Sequence, residues 1–412
     1  MAWRRWRRVA VARFGSFIQG GFECGSHLWP DGSRLDLSAS TGHAYHPSQD
    51  FAAVAAHGIR TVRDGICWHL IETAPGQYDW GSALSTVRAA TQAGVQVMWD
   101  LCHYGIPLHL DVWSGEFPGR FAAFAREAAI VIQRVSGHSS IFCPINEISY
   151  WAWAGGDVNH FGPGTHGRGA ELKRQLVSAN LAGIAAIKEV DRGATFISAE
   201  PAIHVAAQSA DDIDIARYFD ALQYEACDML TGRSCPELGG HDASLDVIGV
   251  NFYPQNQWFW GGECISRGSL AYRPLRQILQ EIFRRYGKPI LISETGAEGD
   301  ERLPWFRYVC DEAFAAMTAG VVLTGICVYP ITDYPGWGDD RHCETGLLGY
   351  PDGAGERPVH QPLAEEIALQ RARFDSLVER LPQRPSFRPG ANDLKRSPIL
   401  RDSSANERRA PC

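Results

Sequence analysis

Ser140-Ile-Phe-Cys-Pro-Ile-Asn-Glu147 and Pro289-Ile-Leu-Ile-Ser-Glu294 decide the fold. Each is a short apolar run with too little alternation to be half exposed, so each reads as a strand buried on both faces in a parallel sheet. Each ends in a carboxylate. Working outward, strand-like segments at 16–23, 59–63, 95–101, 140–146, 194–200, 246–253, 289–295 and 322–330 alternate with helical patterns. The clearest of these cover 48–57, 81–93, 118–136, 170–190, 270–286 and 303–318. Eight strands with intervening helices predict a single α/β domain, a closed (β/α)₈ TIM barrel. Gly94-Val-Gln-Val and Gly287-Lys-Pro-Ile mark the entry of the chain into a strand after a helix.

The 412 residues suffice for such a barrel of about 250 residues with insertions. Residues 1–14 read as a basic N-terminal extension, 15–380 as the barrel, and 381–412, rich in Arg, Pro, Ser and Asn, as a disordered tail. A hydrophobic content of 45% and a charged content of 21% are those of a soluble protein. No run reaches the roughly 18 apolar residues of a membrane span. The formal charge of −8, with dispersed arginines, argues against a nucleic-acid partner. Eleven cysteines, odd in number and without a Cys-x-x-Cys pair, predict a reduced, cytoplasmic protein in which Cys67, Cys102, Cys143 and Cys327 act as small buried hydrophobes. The start, Met1-Ala-Trp-Arg, resembles a signal sequence only superficially, because Arg13 interrupts the apolar stretch. No marker of oligomeric state is present.

Polar and aromatic residues replace apolar ones at the expected strand tips: Arg63, His103, Asn146 with Glu147, Glu200, Asn251 with Tyr253, Glu294 and Trp337. In a β/α barrel these tips converge on one mouth, where the chemistry lies. Two carboxylates on facing strand ends suit glycoside hydrolysis, in which one protonates the leaving oxygen and the other meets the oxocarbenium-like carbon. A nucleophilic carboxylate must stay ionised, which a guanidinium such as Arg63 favours, whereas the acid must keep its proton in a drier or more negative surrounding.

On Arg63-Asp-Gly-Ile-Cys-Trp68 with Pro75-Gly76 downstream, His103, Asn146-Glu147, Gly249-Val-Asn-Phe-Tyr253, Ile292-Ser-Glu-Thr-Gly296 and Tyr329 to Trp337 leading to Gly346-Leu347, the chain resembles clan A glycoside hydrolases. The resemblance is to family 1 in particular, the β-glucosidase and 6-phospho-β-galactosidase group, over roughly 15–350. It implies a retaining β-glycosidase without metal or cofactor, acting on a small-molecule glycoside or oligosaccharide, with Glu147 as general acid/base and Glu294 as nucleophile. It further implies that Asn146 binds the sugar 2-hydroxyl, that His103 contacts the glycone, that Trp337 stacks beneath it, and that Arg63, Asn251 and Tyr253 orient the nucleophile.

The departures are equally specific. Ile148 stands where the family usually has Pro, Gly336 stands where it has the acid that grips distal glycone hydroxyls, and Gly21-Phe-Glu-Cys-Gly-Ser-His27 offers no match to its first-strand Gln. Glu23 and Glu200 read either as sugar ligands or as salt-bridge partners of Arg63 or a similar cation. His27, His43 and His46 read as polar loop residues before metal or sugar ligands, and Trp151, Trp153, Trp258 and Trp260 as caps of the barrel before sugar platforms. The competing readings are a carbohydrate-binding barrel with reduced turnover, a transglycosidase, and a metal-dependent barrel hydrolase, which would need a His-x-His pair that the first strand lacks.

Overall fold

A computed structural model describes residues 13–339 and 341–380, with the side chains of 379 and 380 excepted. The expected tail at 381–412 and most of the basic extension lie outside the described residues. Eight parallel strands close into a barrel: β1 (Ile18–Gly21), β2 (Thr61–Gly65), β3 (Gln96–Asp100), β4 (Ile141–Cys143), β5 (Thr195–Pro201), β6 (Val247–Asn251), β7 (Ile290–Thr295) and β8 (Leu323–Val328). Neighbours in sequence are neighbours in the sheet, and β8 returns to pair with β1, Ile18 opposite Ile326. The strands are short and nearly all their residues are buried, which is why they read as apolar runs.

The helices that follow the strands are α1 (Pro47–Ala56), α2 (Gly81–Ala93), α3 (Phe117–Ser136), α4 (Gly169–Val190), α5 (Glu225–Leu230), α6 (Leu275–Tyr286), α7 (Arg302–Thr318) and α8 (Gln361–Arg380), of which the periodicity predicts all but α5 and α8. In α6 the buried residues Leu275, Ile278, Leu279, Ile282 and Tyr286 fall at helical spacing on one face. Burying such a side chain contributes roughly 1.5–3 kcal/mol. Helix α6 begins at Leu275, not near 270, since Pro274 takes an extended backbone before it. Gly94 and Gly287, each at φ 65°, end α2 and α6 in the left-handed conformation that lets the chain turn into the next strand.

Two features go beyond the sequence reading. Helix α8 packs against α7 and the first strand, with Phe374 stacked on Phe17 at 4.3 Å. Phe14, Met98, Ile141, Ile197, Val247 and Leu291 form a separate apolar plug, so Arg13 and Phe14 pack with the barrel. Above the plug the interior turns polar, and that layer holds the site. Cys67, Cys102, Cys143 and Cys327 form no disulfide, and among the described residues no helix is long and apolar enough to cross a membrane.

Candidate active site

Arg63, on β2, is almost wholly buried and organises the polar layer. Its Nε and Nη2 form a fork on Asp100 at the end of β3, at 2.8 and 2.7 Å, and Nη2 also donates to Asn146 Oδ1 at 2.5 Å. Its Nη1 donates to Glu294 Oε1. A planar guanidinium with five donors can serve three partners at fixed angles, which an ammonium cannot. The pairing of β7 with β6 shifts register between Ile292 and Glu294, so that Glu294 lies opposite Asn251. Such irregularities re-aim side chains at sites. Tyr253 completes the cradle, its hydroxyl donating to Glu294 Oε2 at 2.8 Å.

Glu147 follows β4 in left-handed backbone, φ 42°, a conformation that few non-glycine residues adopt. Asn251 Nδ2 donates to its Oε1 at 2.8 Å, and Tyr104 OH donates to its Oε2 at 2.5 Å. Burial first, then the charge of Glu294, push its carboxyl up to about 8, against the lowering effect of those two hydrogen bonds. Two carboxyls of one site thus stand in opposite settings, Glu294 against a guanidinium and Glu147 without a cation bonded to it.

Asn146 offers its Oδ1 to Arg63, so its Nδ2 donates, to His103 Nε2 at 2.9 Å and to Tyr104 OH at 3.2 Å. That leaves His103 Nδ1 as the protonated nitrogen, facing Asp100 Oδ2 at 3.0 Å. Glu23 accepts from the Gly25 N–H at 2.9 Å and from Tyr329 OH at 3.2 Å, and burial raises its pKa, with the charge of Glu294 adding to the rise. Trp337 packs against His27, Tyr104 and Phe161, with ring centroids 4.8, 5.9 and 6.4 Å away.

Three expectations change. Asn251 does not hold Glu294: its Oδ1 accepts from Ser293 Oγ at 2.6 Å, which turns its amide toward Glu147. Glu200 faces the backbone, not the mouth or Arg63. Its two oxygens accept from the Ile148 and Ser149 N–H groups at 2.9 and 3.0 Å, capping the turn that follows Glu147, and burial raises its pKa to about 7. Nor is Glu23 a partner of Arg63, whose carboxylates are Asp100 and Glu294. His43 is buried between Asp50 and Asp64, at 2.7 and 3.1 Å, while Trp151 is buried with its indole N–H on Gly162 O at 2.8 Å.

Asp100, Tyr104 and Ser293 are the site residues that the sequence reading missed. Asp100 carried the same signal as the others, a polar residue closing the apolar run Val-Met-Trp-Asp. The left-handed backbone of Tyr104, φ 67°, has no sequence signal. Cys24, Asp100 and His103 gather ligand-type atoms within 4.8 Å of one another. Both Asp100 oxygens are already held in the Arg63 fork, and burial pushes the Cys24 thiol well above its usual range, so the set is poorly suited to a cation.

No family model matches the sequence, and no curated protein matches it significantly. Solved structures do match. The family 1 β-glucosidase from Thermotoga maritima is 14% identical with a TM-score of 0.67, covering 89% of this chain and 97% of its own. The β-glycosidase from the hyperthermophile Thermosphaera aggregans is 16% identical with a TM-score of 0.71, covering 88% and 98%. A hyperthermophilic β-glucosidase mutant that forms a dodecamer in the crystal is 16% identical with a TM-score of 0.69, covering 86% and 99%. The chain therefore has the barrel fold of the family 1 β-glucosidases, as the strand-tip motifs predict.

Proposed function

We propose that the protein is a retaining β-glycosidase that hydrolyses a small glycoside or oligosaccharide by double displacement. The observation that carries this reading is the unequal pair: Glu294 cradled by Arg63 and Tyr253, and Glu147 pushed up to about 8 by burial and by the charge of Glu294. Glu294 attacks the anomeric carbon while Glu147 gives its proton to the leaving oxygen. Bond formation removes the charge on Glu294, and with it one of the causes that hold the proton on Glu147. Glu147 then takes a proton from the incoming water, which releases the sugar with its original configuration.

Asn146 contributes an oriented amide beside the nucleophile, and Glu23 and Trp337 are the candidates for glycone recognition. Since Gly336 supplies no carboxylate to the distal hydroxyls, the sugar preference differs from that of β-glucosidases with an acid there. A panel of nitrophenyl β-glycosides, with mass analysis of adducts trapped by their 2-deoxy-2-fluoro analogues, tests the assignment. The expected result is turnover of at least one glycone and an adduct on the peptide containing Glu294. An adduct on a different carboxylate, or a panel left untouched by folded protein, would sink it.

A further inference from the structure

We propose that Tyr104 is a positioning residue that holds the acid/base proton on Glu147 Oε2 and sets the affinity of Glu147 for it, a role that rests on the reading of Glu147 as acid/base. Ser293 Oγ donates to Asn251 Oδ1, so Asn251 can only donate, through Nδ2, to Glu147 Oε1. An oxygen that faces an N–H donor is a poor place for a proton, which leaves Oε2. The group facing Oε2 is the Tyr104 hydroxyl, at 2.5 Å. On its other side that hydroxyl receives the Asn146 amide at 3.2 Å, itself fixed as a donor because Arg63 takes Asn146 Oδ1.

A hydroxyl can serve both states of Glu147 through one oxygen. It donates when Glu147 is a carboxylate and accepts when Oε2 carries the proton. Burial, followed by the charges of Glu147 and Glu294, raises the Tyr104 phenol well above its usual range, so Tyr104 keeps its own proton throughout. The proton that moves is the one on Glu147, delivered to the leaving oxygen and recovered from water. Both residues of the bond occupy left-handed backbone, φ 67° at Tyr104 and 42° at Glu147. A bulky aromatic seldom adopts that conformation, and it persists only where the surroundings enforce it. Here they do: His103, Trp151, Phe161 and Trp337 pack round the Tyr104 ring with centroids 4.8, 5.9, 5.2 and 5.9 Å away.

The groups that act on Glu147 are Tyr104 and His103 from the segment after β3, Asn251 at the end of β6, Tyr253 beyond it, Glu294 on β7, and Tyr150 from the turn that follows Glu147 itself. Of these, Tyr104 and Asn251 bond to it directly. Removing the Tyr104 hydroxyl takes one donor from the carboxylate form and leaves the other charges in place. The test is a carbon-13 NMR titration of glutamate carboxyls in the wild type and in Tyr104→Phe, with the Glu147 signal assigned by its loss in Glu147→Gln. The loss of one charge-assisted hydrogen bond predicts a Glu147 midpoint about one pH unit higher in Tyr104→Phe, and an equal rise in the basic limb of kcat/KM. A midpoint that stays at the wild-type value, or falls, overturns the proposal. The titration needs no turnover, so a shifted midpoint in a protein that hydrolyses no glycoside would refute the glycosidase reading and leave the hydrogen-bond role of Tyr104 intact.

Discussion

Replacing Arg63 with Lys keeps one positive charge in the barrel and destroys only its geometry. The guanidinium reaches Asp100 through Nε and Nη2 at 2.8 and 2.7 Å, Asn146 through Nη2 at 2.5 Å, and Glu294 through Nη1. A lysine ammonium has three donors on a single nitrogen and cannot span Asp100 and Glu294 together. Asp100 is buried and cannot be left without a cation, so the ammonium is expected to settle on it and abandon Glu294 and Asn146. A hydrogen bond to a charged group is worth about 1.5–3 kcal/mol, and the two lost bonds share one donor group and are not additive. A loss of about 2–4 kcal/mol of transition-state stabilisation follows, or roughly 30- to 1000-fold in kcat/KM. Because one lost contact orients the nucleophile and the other orients Asn146, whose expected bond to the sugar 2-hydroxyl strengthens in the transition state, the fall should lie mainly in kcat, with KM within a few-fold of wild type. Steady-state kinetics on an aryl β-glycoside, with a thermal melt to confirm folding, measures both. Arg63→Lys within threefold of wild-type kcat/KM would refute the claim that this fork positions Glu294.

Substituting Glu147→Gln should remove the basic limb of the kcat/KM profile, which in the wild type is expected near pH 8, and should cost far more for poor leaving groups than for nitrophenol; equal losses with an unchanged profile would reassign the acid. For Glu200→Ala, the freed N–H groups of Ile148 and Ser149 predict a stability loss of about 1–3 kcal/mol by denaturant titration, together with weaker activity through a displaced Glu147; a neutral result on both counts would remove the capping role. His43 is raised to about 9, since Asp64 and Asp50 outweigh the opposing penalty of burial. A folded-state pKa above the unfolded value contributes stability that is complete below about pH 6.5 and is lost as the pH rises through about 9. The stability difference between wild type and His43→Asn should accordingly shrink across that window, and a constant difference would contradict it.

The barrel was legible because parallel strands buried on both faces leave apolar runs, and because the chain alternates them with amphipathic helices such as α6. The place of the candidate site was legible because both carboxylates end such runs. What escaped depends on direction, which a one-dimensional pattern does not carry. Asn251 lies opposite Glu294, yet the Ser293 hydroxyl turns its amide toward Glu147. Glu200 lies at a strand end like Glu294, but the backbone turn after Glu147 presents two N–H groups that consume its oxygens. Tyr104 was passed over because nothing in Cys102-His103-Tyr104 announces a left-handed residue, which in sequence is ordinarily signalled by Gly or Asn. The helix at Gln361–Arg380 packs Phe374 on Phe17, a contact between distant parts of the chain that no local motif announces.

If Glu294 and Glu147 act as nucleophile and acid/base of a retaining reaction, the anomer of the first-formed sugar reports it. Proton NMR during hydrolysis of an aryl β-glycoside, recorded before mutarotation equilibrates the product, resolves the two anomeric signals. Double displacement predicts that the β-anomer appears first and the α-anomer grows in only at the rate of mutarotation. Initial release of the α-anomer would mean single displacement by water and would contradict the assignment of Glu294 as nucleophile.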